Sequence, residues 1–219
     1  MKWTSFVESR RQCAQCKCDG LLDNGALPVF QKEAPQSFDI LFILEAPNHD
    51  DTYNPQKGYL TVEPDTDPSG RFFCDLFMNE LQFPISELFV TNSVLCLPAG
   101  KAGKFPVSAL QRNNCLPNLV QFIDTFSPLI VCPMGTKALL ATGGISGHGL
   151  RTMAKAAAKP LNWYGRILFP LFHTSAQARN PRNGRPESEQ RRDWRELRAI
   201  WEQISVQQGS KQLTGSTSW

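Results

Sequence analysis

The sequence predicts an α/β domain of three layers, with helices on both faces of a central, mostly parallel four-stranded sheet. Three observations predict it. Short runs rich in Ile, Leu, Val and Phe at 39–44, 88–94, 129–132 and 166–172 have the length of strands buried on both faces. Segments with helical spacing of apolar residues lie between most of them, and that alternation gives parallel strands with crossover helices. At 219 residues the chain is long enough to bury one full core without disulfide staples.

The first strand, Asp-Ile-Leu-Phe-Ile-Leu at 39–44, ends in Glu45-Ala46-Pro47-Asn48 and a polar loop to about residue 68. A helix is expected over 69–81, with Phe72, Phe73, Leu76, Phe77 and Leu81 along one side. The second strand, 88–94, holds Asn92 and leads into a loop rich in Gly and Lys at 95–105. A helix at 108–126 turns Leu110, Leu119, Phe122 and Ile123 inward. The third strand, 129–132, runs into Met134-Gly135 and a helix at 136–141, followed by glycine-rich turns at 143–149. The fourth strand, 166–172, ends at His173, and a charged helix at 187–204 buries Trp194, Leu197 and Trp201. From Gln207 the chain is rich in Gly, Ser and Thr. The domain is therefore expected to span 1–205 and the tail, 206–219, to lack structure.

In sheets of this kind, ligands bind outside the carboxyl ends of the strands. Glu45–Asn48, Asn92, Gly135 and His173 are therefore expected to converge on one crevice. Residues 1–150 carry 11 Lys/Arg against 15 Asp/Glu, whereas 151–219 carry 12 against 5. A basic C-terminal third on an acidic body suits an anionic partner, nucleic acid being the commonest. A solvated basic helix with no partner accounts for the same charges. Hydrophobic content of 41% and charged content of 20% are those of a soluble globular protein. No apolar run approaches the roughly 18 residues of a membrane span. With no apolar leader at the start, a cytoplasmic, monomeric protein without membrane attachment is expected.

Cysteine placement adds a second expectation. Cys13 and Cys16 form a C-x-x-C, and Cys96 and Cys115 bracket the Gly/Lys loop. Four thiolates from two distant segments suit a tetrahedral metal site or a cubane iron–sulfur cluster. Cys18 is an alternative member of the first pair. A zinc ribbon ordinarily has two C-x-x-C knuckles, and here there is one. Cys74 and Cys132 read as small core residues.

These strand ends and cysteines together resemble the uracil-DNA glycosylase superfamily, most closely its iron–sulfur branch (family 4). The family's Gly-Glu-Ala-Pro-Gly appears as Leu44-Glu45-Ala46-Pro47-Asn48. Its strand ending in Thr-Asn, followed by a cysteine and proline, appears as Val90-Thr91-Asn92-Ser93-Val94-Leu95-Cys96-Leu97-Pro98. Its last cysteine, at the start of a helix, is Cys115, and its His-Pro-Ser is His173-Thr174-Ser175. The match runs from Cys13 to about Trp201.

The resemblance implies a monofunctional DNA glycosylase that flips a pyrimidine out of the stack and hydrolyses its N-glycosidic bond, leaving an abasic site. DNA is the implied partner. A [4Fe–4S] cluster held by Cys13, Cys16, Cys96 and Cys115 is the implied cofactor, with a structural role. Glu45, Asn92 and His173 are the implied catalytic residues. Asn92 has both a donor and an acceptor to read a pyrimidine edge. His173 can stabilise charge developing on the base oxygen. Glu45 can orient water or steady a cationic sugar. The base pocket is expected from Ala46, Pro47, Asn48, His49, Tyr59 and Asn92. Lys101, Lys104, Arg112, Thr174 and Ser175 are expected on DNA phosphates. Gln177 or Arg179 is expected to fill the vacated stack.

The chain departs from the family pattern at the wall of the pocket. Asn48 replaces glycine, His49 follows it, no Pro-Phe occurs after the motif, and Thr174 replaces proline. Tyr59 is the candidate for the missing stacking ring. The excised base is expected to be uracil or a C5-modified pyrimidine, and a more polar and roomier wall suits the second, such as a hydroxymethylated or glucosylated cytosine of phage DNA. A non-catalytic iron–sulfur DNA-binding protein is the rival reading. A nucleotide enzyme is disfavoured because the first strand is followed by neither Gly-x-Gly-x-x-Gly nor a Walker loop.

Overall fold

A computed structural model describes residues 3–16, 20–23, 26–48, 52, 67–100 and 106–214, with side chains to 207. The elements in chain order are α1 (Trp3–Arg11), β1 (Ile40–Leu44), α2 (Pro68–Asp75), β2 (Phe89–Asn92), α3 (Ala109–Phe126), β3 (Ile130–Pro133), α4 (Thr136–Ile145), α5 (Met153–Ala156), β4 (Leu161–Trp163), β5 (Arg166–Leu168) and α6 (Glu187–Thr214).

The sheet has five strands in the order β2-β1-β3-β5-β4. β1 pairs in parallel with β2 (Leu44 opposite Asn92) and with β3 (Ile43 opposite Pro133), and β3 pairs in parallel with β5. The expected four-stranded sheet is corrected by β4, an edge strand antiparallel to β5. β4 is only three residues long and follows Pro160. Its turn, Tyr164-Gly165, takes positive φ at both positions (49° and 70°), the geometry of a tight two-residue hairpin. Glycine adopts that conformation readily and tyrosine does not, so the turn lacks the usual Asn-Gly signal.

Alternation along β1 divides the core. Leu41 and Ile43 face α1 and α3, packing with Phe6, Phe89, Leu119, Phe122 and Val131. Ile40 and Phe42 face α2 and α6, packing with Phe73, Phe77, Val90, Cys132 and Trp194. The Trp194 ring stacks on Phe42 at 5.2 Å, and Trp201 donates from Nε1 to the Asp39 carboxylate at 3.0 Å. The two clusters are the two faces of a three-layer molecule.

Helix α3 starts with a capping box: the Ser108 hydroxyl accepts from Gln111 N–H, and the Gln111 side chain accepts from Ser108 N–H. α2 begins at Asp67, whose carboxylate caps Ser69 and Gly70, and then widens into a π-type turn over Leu76–Glu80, closed by Leu81 N–H to Leu76 O. α6 continues past the expected end at Ile204, through Gly209, to Thr214, with no proline in its length. No helix among the described residues is long and apolar enough to cross a membrane.

Candidate active site and cysteine cavity

The carboxyl ends of β1, β3 and β5 open into a cleft of about 460 Å³. Glu45, Met134, Gly135, Thr136, Lys137, His173, Ser175 and Gln177 line it, together with Met153, Phe172, Ala178, Asn183 and Gly184. Glu45 is fixed through its backbone. Its carbonyl accepts from the Ser93 hydroxyl at 2.7 Å and from Val94 N–H at 3.1 Å, which ties the end of β1 to the turn after β2. Gly135 has φ of +87°, a conformation that favours glycine, and its missing Cβ would lie 3.7 Å from Cβ of His173. A larger cleft of about 760 Å³, lined by Ser127, Leu129, Arg166 and Ile204, lies at the amino ends of β3 and β5. It is the wrong end of the sheet for ligand chemistry.

Asn92 closes β2 with its side chain almost fully buried, and neither Oδ1 nor Nδ2 has a hydrogen-bond partner. Buried amides are ordinarily paired, so this one keeps a donor and an acceptor available at the strand end.

His173 accepts a hydrogen bond at Nδ1 from Ser175 N–H, at 3.1 Å. Burial lowers its pKa below the ordinary 6.5, opposed by the charge of Asp67. The ring is therefore neutral at pH 7, with its proton on Nε2. That makes His173 a fixed neutral donor rather than a cation.

The segment after His173 folds back on itself. Ser175 O accepts from Arg179 N–H, Ala178 O from Arg185 N–H, and a Cβ on Gly184 would fall 2.2 Å from the Ala178 carbonyl. Arg185 pairs with the buried Asp193 of α6 and with Glu189. Ala176 and Gln177 are left exposed at the tip. Arg179 lies over the Phe72 ring at 4.7 Å and 3.6 Å from Glu187, so its guanidinium is held against the protein body. Thr174 is buried, whereas Ser175 is partly exposed on the cleft.

Among the expected site residues, Glu45, His173, Ser175 and Gln177 thus share one cleft. Asn92 is buried at the neighbouring strand end. Ala46 is partly buried, Pro47 is buried and Asn48 is exposed, none of them on that cleft. Arg112 is partly buried in the first turn of α3. His49, Tyr59, Lys101 and Lys104 lie outside the described residues, as does Cys18. Lys137 was not singled out from sequence. Its ammonium donates to Val107 O at 3.0 Å on the cleft rim, and its position two residues after the strand-end Gly135 is the signal that could have found it.

Away from the cleft, Cys13, Cys16, Cys96 and Cys115 line one small cavity together with Asn114 and Asn118. None of the described cysteines forms a disulfide. Antiparallel contacts bring the segments together: Ala99 N–H to Leu21 O, Asp23 N–H to Leu97 O and Val29 N–H to Leu95 O. Burial pushes the Cys115 thiol up to about 11, against the pull of Leu95 N–H and the Asn118 amide. No three His, Cys, Asp or Glu side chains among the described residues are drawn together as for a single metal ion. The four cysteines instead line one shared cavity. All-sulfur donors around such a space, with amide N–H groups directed at them, are a set compatible with a thiolate-ligated cluster.

Residues 31–198 match the family model of the uracil DNA glycosylase superfamily, whose members are DNA glycosylases. The match covers the sheet, Asn92, the cleft with Glu45 and His173, and most of the helices. The chain belongs to the uracil DNA glycosylase superfamily.

Proposed function

We propose that the protein is a monofunctional DNA glycosylase that binds a flipped pyrimidine beside Asn92 and hydrolyses its N-glycosidic bond. The observation that carries this is the buried, unpartnered Asn92 amide next to a cleft holding Glu45 and a neutral His173. Asn92 supplies one donor and one acceptor to the base edge. The Nε2–H of His173 stabilises negative charge on the departing base, and the Glu45 carboxylate steadies the cationic sugar or orients water. Ser175 and the loop after it grip the flanking phosphate, with exposed Gln177 as the residue that fills the stack. No lysine nucleophile is invoked, so the product is an abasic site. The enzyme acts on DNA as a monomer.

The cofactor of this reading is a structural [4Fe–4S] cluster held by Cys13, Cys16, Cys96 and Cys115, and membership of the iron–sulfur branch is part of the same proposal. It pins the N-terminal segment to the turn after β2 and the start of α3 and takes no part in the bond cleavage. The support is the shared cavity of the four cysteines.

A C5-modified cytosine is the second reading of the substrate. The support is the altered end of β1, where Asn48 stands in place of the family's glycine and is exposed. Matched oligonucleotides carrying uracil, 5-hydroxymethylcytosine or its glucosylated form decide between them, with abasic product revealed by alkaline cleavage. Release of uracil alone makes this a repair enzyme. Release of a modified cytosine alone makes it a defence enzyme against modified foreign DNA. DNA binding with no base release would support the non-catalytic rival.

A further inference from the structure

α3 buries Gln111, Cys115, Asn118, Leu119, Phe122 and Ile123, and within that stripe Asn118 is 6% exposed, a primary amide where an apolar side chain would cost less. Its Nδ2 lies 3.6 Å from Sγ of Cys13 and 4.0 Å from Sγ of Cys115, so its two N–H groups serve two sulfurs. One turn earlier, on the same face, Nδ2 of Asn114 lies 3.6 Å from Sγ of Cys16. The backbone N–H of Leu95 adds a fourth N–H···S contact, 3.4 Å from Cys115.

A neutral thiol is a weak acceptor, and three N–H···S contacts to thiols would leave a buried amide poorly satisfied. A metal-bound thiolate is anionic. The same contacts then become charge-assisted, and the amides have a reason to be where they are.

We propose that Asn114 and Asn118 are positioning and tuning residues of the cluster, donating hydrogen bonds to the thiolates of Cys16, Cys13 and Cys115. This rests on the cluster reading given under Proposed function. Donation withdraws electron density from sulfur. It favours the more reduced, more negative state of the cluster and therefore raises its reduction potential. It also holds the sulfurs in place, as outer partners do for other metal ligands.

The test is anaerobic reconstitution of the full chain and of Asn118→Leu, Asn118→Asp and Asn114→Leu. Iron and sulfide content, reduction potential by dye-mediated titration, and iron release to a chelator are followed. The expected result is a cluster in every chain, a potential shifted to more negative values in each variant, and retention of iron weakened by about 10- to 100-fold. Asn118→Asp, which keeps the size but removes the donor, should shift furthest. Asn114 is only partly buried, so Asn114→Leu reports even if the Asn118 variants misfold. Variants with wild-type potential and wild-type iron release would overturn the role of the two asparagines. A wild-type chain that takes up no cluster would instead overturn the cofactor reading, and this inference with it.

Discussion

Asn92 sits where a buried strand ordinarily holds an apolar residue, and its amide has no partner. An unsatisfied buried amide costs about 1–3 kcal/mol, so the free protein is destabilised by the group proposed to read the base. Asn92→Leu is therefore expected to raise the unfolding midpoint while lowering base release by about 100- to 1,000-fold, the usual loss when an oriented polar group is removed from a site. Thermal unfolding and single-turnover base release on the same preparation check both halves. A variant that lost stability and activity together would mark Asn92 as structural.

His173 makes a residue-scale prediction with a definite sign. Burial lowers its folded pKa below 6.5, as it does for His148, so between the folded values and 6.5 the unfolded chain binds more protons. Stability must rise with pH through that window, be fully present above 6.5, and be lost as pH falls. Denaturant unfolding of the wild type at pH 5.5 and 7.5, about one unit either side of the reference value, should show the rise. His173→Asn should flatten part of it and leave the share of His148.

At the scale of elements, the loop 174–186 is held by the pair between Arg185 and Asp193, with the Asp193 side chain 1% exposed. Removing one partner of a buried pair strands the other, and Asp193→Ala is expected to cost about 3 kcal/mol. The loop follows His173 directly. The variant should therefore also weaken base release from duplex DNA more than from single strands, where no stack has to be refilled. Equal losses on both substrates would show that the pair supports the fold alone.

Elements with one strong pattern were legible in the sequence. β1, β2 and β3 are continuous apolar runs and α3 carries a Ser-x-x-Gln start, and these emerge within a few residues of their expected bounds; α6, with Trp194 and Trp201 on one side, starts where expected and ends ten residues later, at Thr214 rather than Ile204. β4 was not legible, because it is three residues long and its Tyr164-Gly165 turn lacks the Asn-Gly signal of a tight hairpin. α1 was missed because its buried face is three residues, Trp3, Phe6 and Val7, too few to show a period. In the cleft, Glu45 and His173 were legible because strand ends must converge. Lys137, Asn183 and the cavity amides Asn114 and Asn118 were not. Polar residues on helices and loops acquire a direction only when tertiary packing fixes what they face.

At the scale of the whole molecule, part of the basic charge is spent inside the fold. The 12 Lys/Arg of residues 151–219 include Arg185 and Arg191, which are spent on internal ion pairs with Asp193, Asp75, Glu80 and Glu187. The basic third is thus partly structural, and the DNA-binding charge is smaller than the composition implies. The logarithm of DNA affinity should still fall linearly with the logarithm of salt, with a slope of about 0.9 per phosphate neutralised. Titrations of a fluorescent duplex across salt concentrations measure that slope. A slope near the full count of basic residues would contradict the ion-pair assignment.

The central claim is that the orphaned amide and the neutral histidine at the strand ends cleave a base from DNA. The most direct test is single-turnover formation of abasic sites, by wild type, Asn92→Leu and His173→Asn, on whichever pyrimidine substrate the panel identifies. The account predicts measurable cleavage by the wild type and a loss of about 100- to 1,000-fold in each variant, with DNA affinity largely retained. Full activity in both variants, or no base release from any pyrimidine by the folded, DNA-bound wild type, would contradict it.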